Sequence, residues 1–149
     1  MTNVEIRRAV AGDVPAIVAM LADDPLGALR ETPGDVAYLG AFEEIDADPR
    51  QVLVVAVSSG EVVGTMQLTF IPGLSRKGAT RALLAAVRVR SDLRGGGVGG
   101  EFVRWAVETA RQRGAAMVQL TSDASRTDAH RFYERYGFVA SHVGMKLAL

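Results

Sequence analysis

At 149 residues the chain fits one domain, residues 1–149, on a single core, with the 48% hydrophobic and 23% charged residues of an ordinary folded protein. Zero net charge and 6% aromatic residues argue against a nucleic-acid partner, and no apolar run approaches the roughly 18 residues of a membrane helix. The absence of cysteine excludes disulfides, cysteine-rich zinc sites and a cysteine nucleophile.

Met1 to Arg8 carries charge where a signal peptide would be apolar, so a cytoplasmic protein is expected. Val4 to Ala9 alternates like a half-buried strand. Gly12-Asp13 offers an N-cap with Pro15 in the first turn, and Val14, Ile17, Val18 and Leu21 recur at helical spacing. Pro25 to Gly34 reads as loop, and Asp35 to Ile45 as a second helix. Val52 to Val57, the turn Ser58-Ser59-Gly60-Glu61 and Val62 to Ile71 make a hairpin that Pro72-Gly73 ends. Thr80 to Arg90 is a third long strand.

A glycine-rich run follows, then a helix to about Arg113 whose apolar stripe is Phe102, Trp105, Ala106 and Ala110, with Gly114 as its stop. Ala115 to Thr121 reads as a strand. Ser125 or Thr127 caps a helix to Tyr136, and Phe138 to Leu149 is expected to form a final hairpin broken near His142 to Gly144. The order β-α-α-β-β-β-α-β-α-β-β predicts an α/β (α+β) domain: a mixed, mostly antiparallel sheet of about six to seven strands with about four helices on its faces.

Five of the six positions Gly95 to Gly100 are glycine, between a strand and a helix. Glycine lets a ligand approach the backbone closely, and unpaired N–H groups at a helix N-terminus favour a phosphate. Arg94 adds a permanent positive charge. A nucleoside-triphosphate loop would need Gly-Lys-Ser/Thr, whereas Glu101 follows Gly100. Gly95-x-Gly97-x-x-Gly100, with Asp123 further on, matches the dinucleotide fingerprint formally, but too few residues follow Asp123 for the rest of a doubly wound sheet. Coenzyme A also offers a pyrophosphate and suits a small domain. His130 and His142, the only histidines, make a poor metal site, and no metal is expected.

Two runs carry a family resemblance. Val87-Arg88-Val89-Arg90-Ser91-Asp92-Leu93-Arg94-Gly95-Gly96-Gly97-Val98-Gly99 resembles motif A of the GNAT superfamily of N-acetyltransferases, whose Arg/Gln-x-x-Gly-x-Gly/Ala core is met by Arg94, Gly97 and Gly99. Ala129 to Phe138 is similar to the family's Ala-x-x-(apolar)-Tyr-Glu-x-x-Gly-Phe, and the resemblance covers essentially the whole chain. It implies acetyl-CoA as co-substrate, in a cleft where the strand ending near Val89 splays from the strand ending near Thr121. The cofactor arm would pair with Val87 and Val89, and the pyrophosphate would rest on Arg94, Gly95, Gly96, Gly97, Val98, Gly99 and Gly100. Tyr133 matches the tyrosine that protonates the leaving thiolate, and a neutral amine would attack directly in a ternary complex.

The asparagine that many members carry seven residues before the tyrosine is replaced by Arg126, which takes the cofactor-binding position. The glutamate that many members place on the long central strand is missing from Leu83-Leu84-Ala85-Ala86. A base must then be water, or an acid such as Glu31, Glu43 or Glu44. The expected activity is acetylation of a small primary amine; the alternatives are a CoA-binding module without catalysis and acetylation of a protein N-terminus or lysine. A homodimer is compatible with these features. Leu21 to Arg50 holds eight acids against two arginines, while Arg76 to Leu149 holds 13 bases against six acids. That asymmetry suggests either a cationic acceptor facing an acidic lobe or merely two solvated faces of opposite sign.

Overall fold

The computed structural model of the chain describes residues 3–149. β1 (Glu5–Arg8) leads through a 3-10 turn (Ala11–Asp13) into α1 (Val14–Ala22), α2 (Pro25–Arg30) and α3 (Ala37–Ala47). β2 (Gln51–Ser58), β3 (Glu61–Ile71) and β4 (Arg81–Val89) follow, with a single turn, α4 (Ser75–Gly78), between the last two. α5 (Val98–Gln112), β5 (Met117–Gln119) and α6 (Thr127–Arg135) complete the regular elements. The sheet runs β1-β2-β3-β4-β5, antiparallel except for the parallel pair β4 and β5. None of the helices among the described residues is long and apolar enough to cross a membrane.

β2 is buried on both faces, which is why it reads as a continuous apolar run. Val52, Val54 and Ala56 join β3, β4 and the Phe102–Ala106 stripe of α5 in the main core. Val55, on the other face, packs with Val14, Ile17 and Val18 of α1 and Phe42 of α3. Phe102 is fully buried, and its ring fills the space a Cβ on Gly64 would need, with Cε2 only 2.7 Å from that position. Removing the ring with Phe102→Ala would cost about 3–5 kcal/mol.

The expected hairpin at Phe138 to Leu149 does not form: residues 138–149 hold no strand, β5 spans three residues, and the sheet therefore has five strands instead of six or seven. Alternation shows that a segment can be a strand; whether it becomes one depends on a neighbour to pair with. Helices are more numerous than expected because the single turn α4 lies between β3 and β4, and because Pro25 to Gly34, read as loop, contains α2. There the Asp24 side chain accepts the Gly27 N–H and Pro25 occupies the first turn, where its missing N–H costs nothing.

The 3-10 turn that leads into α1 is fixed by Asp13, a buried acid. Arg7 Nη1 donates to Asp13 Oδ2 at 2.7 Å, and the Val10 N–H donates to the same oxygen at 2.8 Å. The Arg7 hydrogen bond, followed by the Val10 N–H, holds the carboxyl below its usual range against the opposing effect of burial. A group lowered on folding stabilises the native state above its unfolded value and loses that contribution as pH falls through the folded one. Asp13→Asn should lower stability at pH 7 by about 1–2 kcal/mol, given that Arg7 is partly exposed. The gap to wild type should narrow as pH falls through and below the carboxylate range, measured as urea midpoints from pH 7 to 2.

Candidate active site

β4 and β5 pair only from Arg81–Met117 to Leu83–Gln119, and then part. Beyond that point Leu84 to Arg88 on one side and Leu120 to Ser122 on the other line a cleft, closed by Arg126 and Tyr133 of α6 and its approach. The β3–β4 register slips at the same level, between Thr65 and Gln67. Ala86 there takes φ +54°, a left-handed conformation that costs an alanine about 1–2 kcal/mol. This bulge leaves Ala86 and Val87 without a ladder partner in β3, and β5 has already diverged from them. Strain and a break in the β3–β4 ladder thus coincide at the cleft wall, where the Val87 carbonyl accepts a hydrogen bond from Arg88 Nη1 at 3.0 Å.

Val87 and Val89 both pack against the core, and of the two only Val87 lines the cleft. The two buried side-chain polar atoms with no hydrogen-bond partner among the described residues, Arg88 Nε and Ser122 Oγ, both belong to cleft-lining residues. Buried polar atoms are normally satisfied, so orphans gathered in one place mark where a ligand's polar groups belong. Arg88 Nε lies 3.3 Å from Asp24 Oδ2 as an ion pair without hydrogen-bond alignment. The Gly27 N–H, then Arg88 and Arg126, hold Asp24 below the usual carboxylate range despite burial. Asp24 is therefore a fixed negative charge and a poor base. Neither Asp24 nor Arg88 was singled out from sequence, since nothing local signals a pairing between the α1–α2 turn and β4.

Tyr133 stands half-buried, edge-on to Phe132 at 5.1 Å and to Phe138 at 5.7 Å between ring centres. Burial pushes its phenol above the usual range, while Arg126 and Arg88 pull the other way. Its proton is retained through the pH range in which amines lose theirs, as a donor to a leaving group requires.

The Arg94 to Gly100 run leads into α5. Gly95 and Gly97 take φ of +83° and +92°, and Gly97 is the N-cap, so no side chain caps the first-turn N–H groups. Gly96 is exposed, and Val98 sends its side chain into the core, which leaves only its backbone to face a ligand. Gly99 and Gly100 have a second task. A Cβ on Gly99 would lie 3.2 Å from Phe132 Cζ, and one on Gly100 would collide with the Tyr136 hydroxyl, so both admit the aromatic face of α6. Arg94 is half-exposed; its Nε donates to the Val89 carbonyl and its Nη2 to the Asp23 carbonyl, each at 3.3 Å.

The other candidate bases lie away from the cleft lining. Glu31 accepts a 2.9 Å hydrogen bond from the Tyr38 hydroxyl. Glu43 and Glu44 are exposed on α3, which packs on β2 and α1. The double variant Glu43→Gln, Glu44→Gln should therefore leave turnover and its pH profile unchanged within about twofold, as steady-state rates from pH 6 to 10 would show.

The profile of the Acetyltransferase (GNAT) family matches residues 15–138. The chain is 31% identical to an aminoalkylphosphonate N-acetyltransferase of Salmonella typhimurium, over 97% of this chain and 91% of that protein. It is 28% identical to an L-methionine sulfoximine/L-methionine sulfone acetyltransferase of Pseudomonas paraeruginosa, over 93% of this chain and 82% of that protein. A solved chain from Bacillus halodurans C-125, described as a transcriptional regulator, is 46% identical. It superposes with a TM-score of 0.96 over 99% of this chain and all of its own.

Proposed function

Because the chain belongs to the GNAT family of acetyltransferases, we propose that it moves an acetyl group from acetyl-CoA to the primary amine of a small molecule carrying an acidic group. The observation that carries this reading is the cleft between the parted strands β4 and β5, with Tyr133 on its wall. The backbone of Ala86 and Val87, without a ladder partner in β3, suits an extended cofactor arm that adds to β4 like a strand. The anionic pyrophosphate suits the open first turn of α5 beside Arg94, and Arg126 borders the arm.

A backbone N–H of the Val87 to Val89 segment polarises the thioester carbonyl. The neutral amine attacks the carbonyl carbon; the N–C bond forms, the C–S bond breaks, and the amine's surplus proton passes to water. The Tyr133 phenol gives its proton to the departing thiolate and regains one from solvent. A base of higher strength is unnecessary where the pH already supplies neutral amine.

The acceptor class rests on two supports. The acceptors named for the Salmonella and Pseudomonas relatives, an aminoalkylphosphonate and methionine derivatives, join an amine to an acidic group. Two arginines, Arg88 and Arg126, line the cleft, whose lining holds no acid; Arg88 Nε is ion-paired with Asp24 at 3.3 Å but makes no hydrogen bond. The acidic Leu21 to Arg50 segment offers less to a cation than its composition suggests. Asp23 lies by Arg94, Asp24 by Arg88, and Asp35 and Asp48 accept local backbone N–H groups.

The test is release of CoA thiol over a panel of aminoalkylphosphonates, amino acids, polyamines and lysine peptides. Acidic amines should exceed polyamines in kcat/KM by about tenfold or more, and Arg88→Gln should reduce that kcat/KM by roughly 10–100-fold with little change in the KM for acetyl-CoA. Faster turnover of polyamines would overturn the acceptor class. Tight acetyl-CoA binding with no turnover of any amine would identify a CoA-binding module instead.

A further inference from the structure

We propose that Ser122 determines acceptor specificity: its hydroxyl and Arg88 Nε, from the two walls of the cleft, together hold the acidic group of the acceptor. This rests on the acidic-amine reading above and adds a residue to it. Ser122 lies just past β5 on one wall, and Arg88 belongs to β4 on the other. Their orphaned atoms have complementary limits. A guanidinium nitrogen can only donate a hydrogen bond, whereas a hydroxyl can rotate to donate or accept. One ligand group that satisfies both must therefore present acceptor oxygens. Arg126 lines the same cleft and no acid does, so the group that gains most there is an anion.

The Ser122 hydroxyl is free because its surroundings are already satisfied. The turn that follows is held by Asp123: Ser125 donates to Asp123 Oδ1 through its N–H at 3.0 Å and through its hydroxyl at 2.6 Å. The Arg126 N–H donates to the Asp123 carbonyl at 2.9 Å, and His130 Nε2 lies 3.0 Å from the same oxygen. A serine beside a turn commonly bonds to local backbone, yet none of these bonds uses Ser122 Oγ. The turn thus fixes where Ser122 sits and leaves its hydroxyl unspent.

Arg88 is fixed in a similar way. Its Nη1 donates to the Val87 carbonyl at 3.0 Å, and Asp24 Oδ2 stands 3.3 Å from Nε without forming a hydrogen bond. Asp24 Oδ1 is taken by the Gly27 N–H, and Asp24 does not line the cleft. It steadies the guanidinium from behind. A buried hydroxyl with no partner destabilises the empty protein, so Ser122 should be a residue whose removal helps the fold and harms recognition.

Steady-state release of CoA thiol with β-alanine and 2-aminoethylphosphonate, against propylamine, which carries no acid, tests this. Ser122→Ala should lower the kcat/KM ratio of the acidic amines to propylamine by about tenfold, mainly through the acceptor KM, with the KM for acetyl-CoA within about twofold. Its melting temperature should hold or rise by up to a few degrees. Combined with Arg88→Gln it should lose less selectivity than the product of the two single losses, because both donors hold one group. Four results would each overturn the proposal: unchanged selectivity in Ser122→Ala, a rise confined to the KM for acetyl-CoA, losses that multiply, or a lowered melting temperature. The second would give the hydroxyl to the cofactor arm, and the last would make it structural. A wild type that prefers propylamine would overturn the acidic-amine reading and this proposal with it, whereas an acid preference that survives Ser122→Ala removes this proposal alone.

Discussion

Tyr133→Phe should lower kcat by about 10², or ~2.7 kcal/mol of transition-state stabilisation, while the affinity for acetyl-CoA stays within about threefold. The substitution removes one oxygen and keeps the ring that packs edge-on against Phe132 and Phe138. The aromatic cluster should therefore survive, and a thermal melt should move by no more than a few degrees. The pH profile separates a proton donor from a packed aromatic. Wild-type activity should rise from pH 7 to 9 as the acceptor amine loses its proton. It should fall only above the ordinary phenol range near 10, because burial raises the Tyr133 value. In the variant that alkaline fall should vanish while the rise remains. Unchanged turnover with a lowered melt would show that Tyr133 only packs.

How far the sequence reveals this arrangement depends on the range of the interaction. β1 to β4, α1, α3, α5 and α6 are all visible in the sequence: α1 and α5 as apolar periodicity, β2 as a continuous apolar run, and α6 through its cap candidates and the Gly137 stop. α2 is hidden because Pro25 and Gly27 look like loop punctuation, and only the Asp24 side chain turning back to the Gly27 N–H reveals a cap. The closing hairpin fails for the opposite reason: its alternation is real, but a strand needs an edge, and residues 138–149 find none in their own chain.

Within the site, Tyr133, Arg126 and Val87 are reached through contiguous motifs, and the structure brings all three to one cleft. The Asp24–Arg88 pair is invisible to such reading, since it joins distant segments through side chains of ordinary type. Ala86 is hidden more deeply still. An alanine announces no left-handed backbone, and only the register slip against β3 imposes one. The glycine run shows a further limit: one composition serves two purposes, an open backbone at Gly95 and Gly97 and helix contact at Gly99 and Gly100.

Those two purposes predict opposite outcomes for neighbouring substitutions. Asparagine and aspartate tolerate the left-handed region best after glycine, so Gly97→Asn and Gly97→Asp should both fold with φ near the present +92°. They are nearly equal in shape and differ by one charge. If the first turn of α5 holds a pyrophosphate, that charge opposes it at close range, where like charges about 4 Å apart near a surface repel by up to about 4 kcal/mol. Acetyl-CoA should bind Gly97→Asp about 10²–10³ more weakly by calorimetry, and Gly97→Asn within about fivefold of wild type. The gap should shrink at high salt as the charges are screened. NAD and ATP should bind all three proteins no better than millimolar. Gly100→Ala, in contrast, drives a methyl into the Tyr136 hydroxyl, so it should lower the melting temperature by several degrees and leave acetyl-CoA affinity within about threefold. Equal affinities for the Gly97 pair, or tight NAD binding, would remove the pyrophosphate from this loop. A loss of acetyl-CoA affinity in Gly100→Ala at full stability would move the anion site one turn along α5.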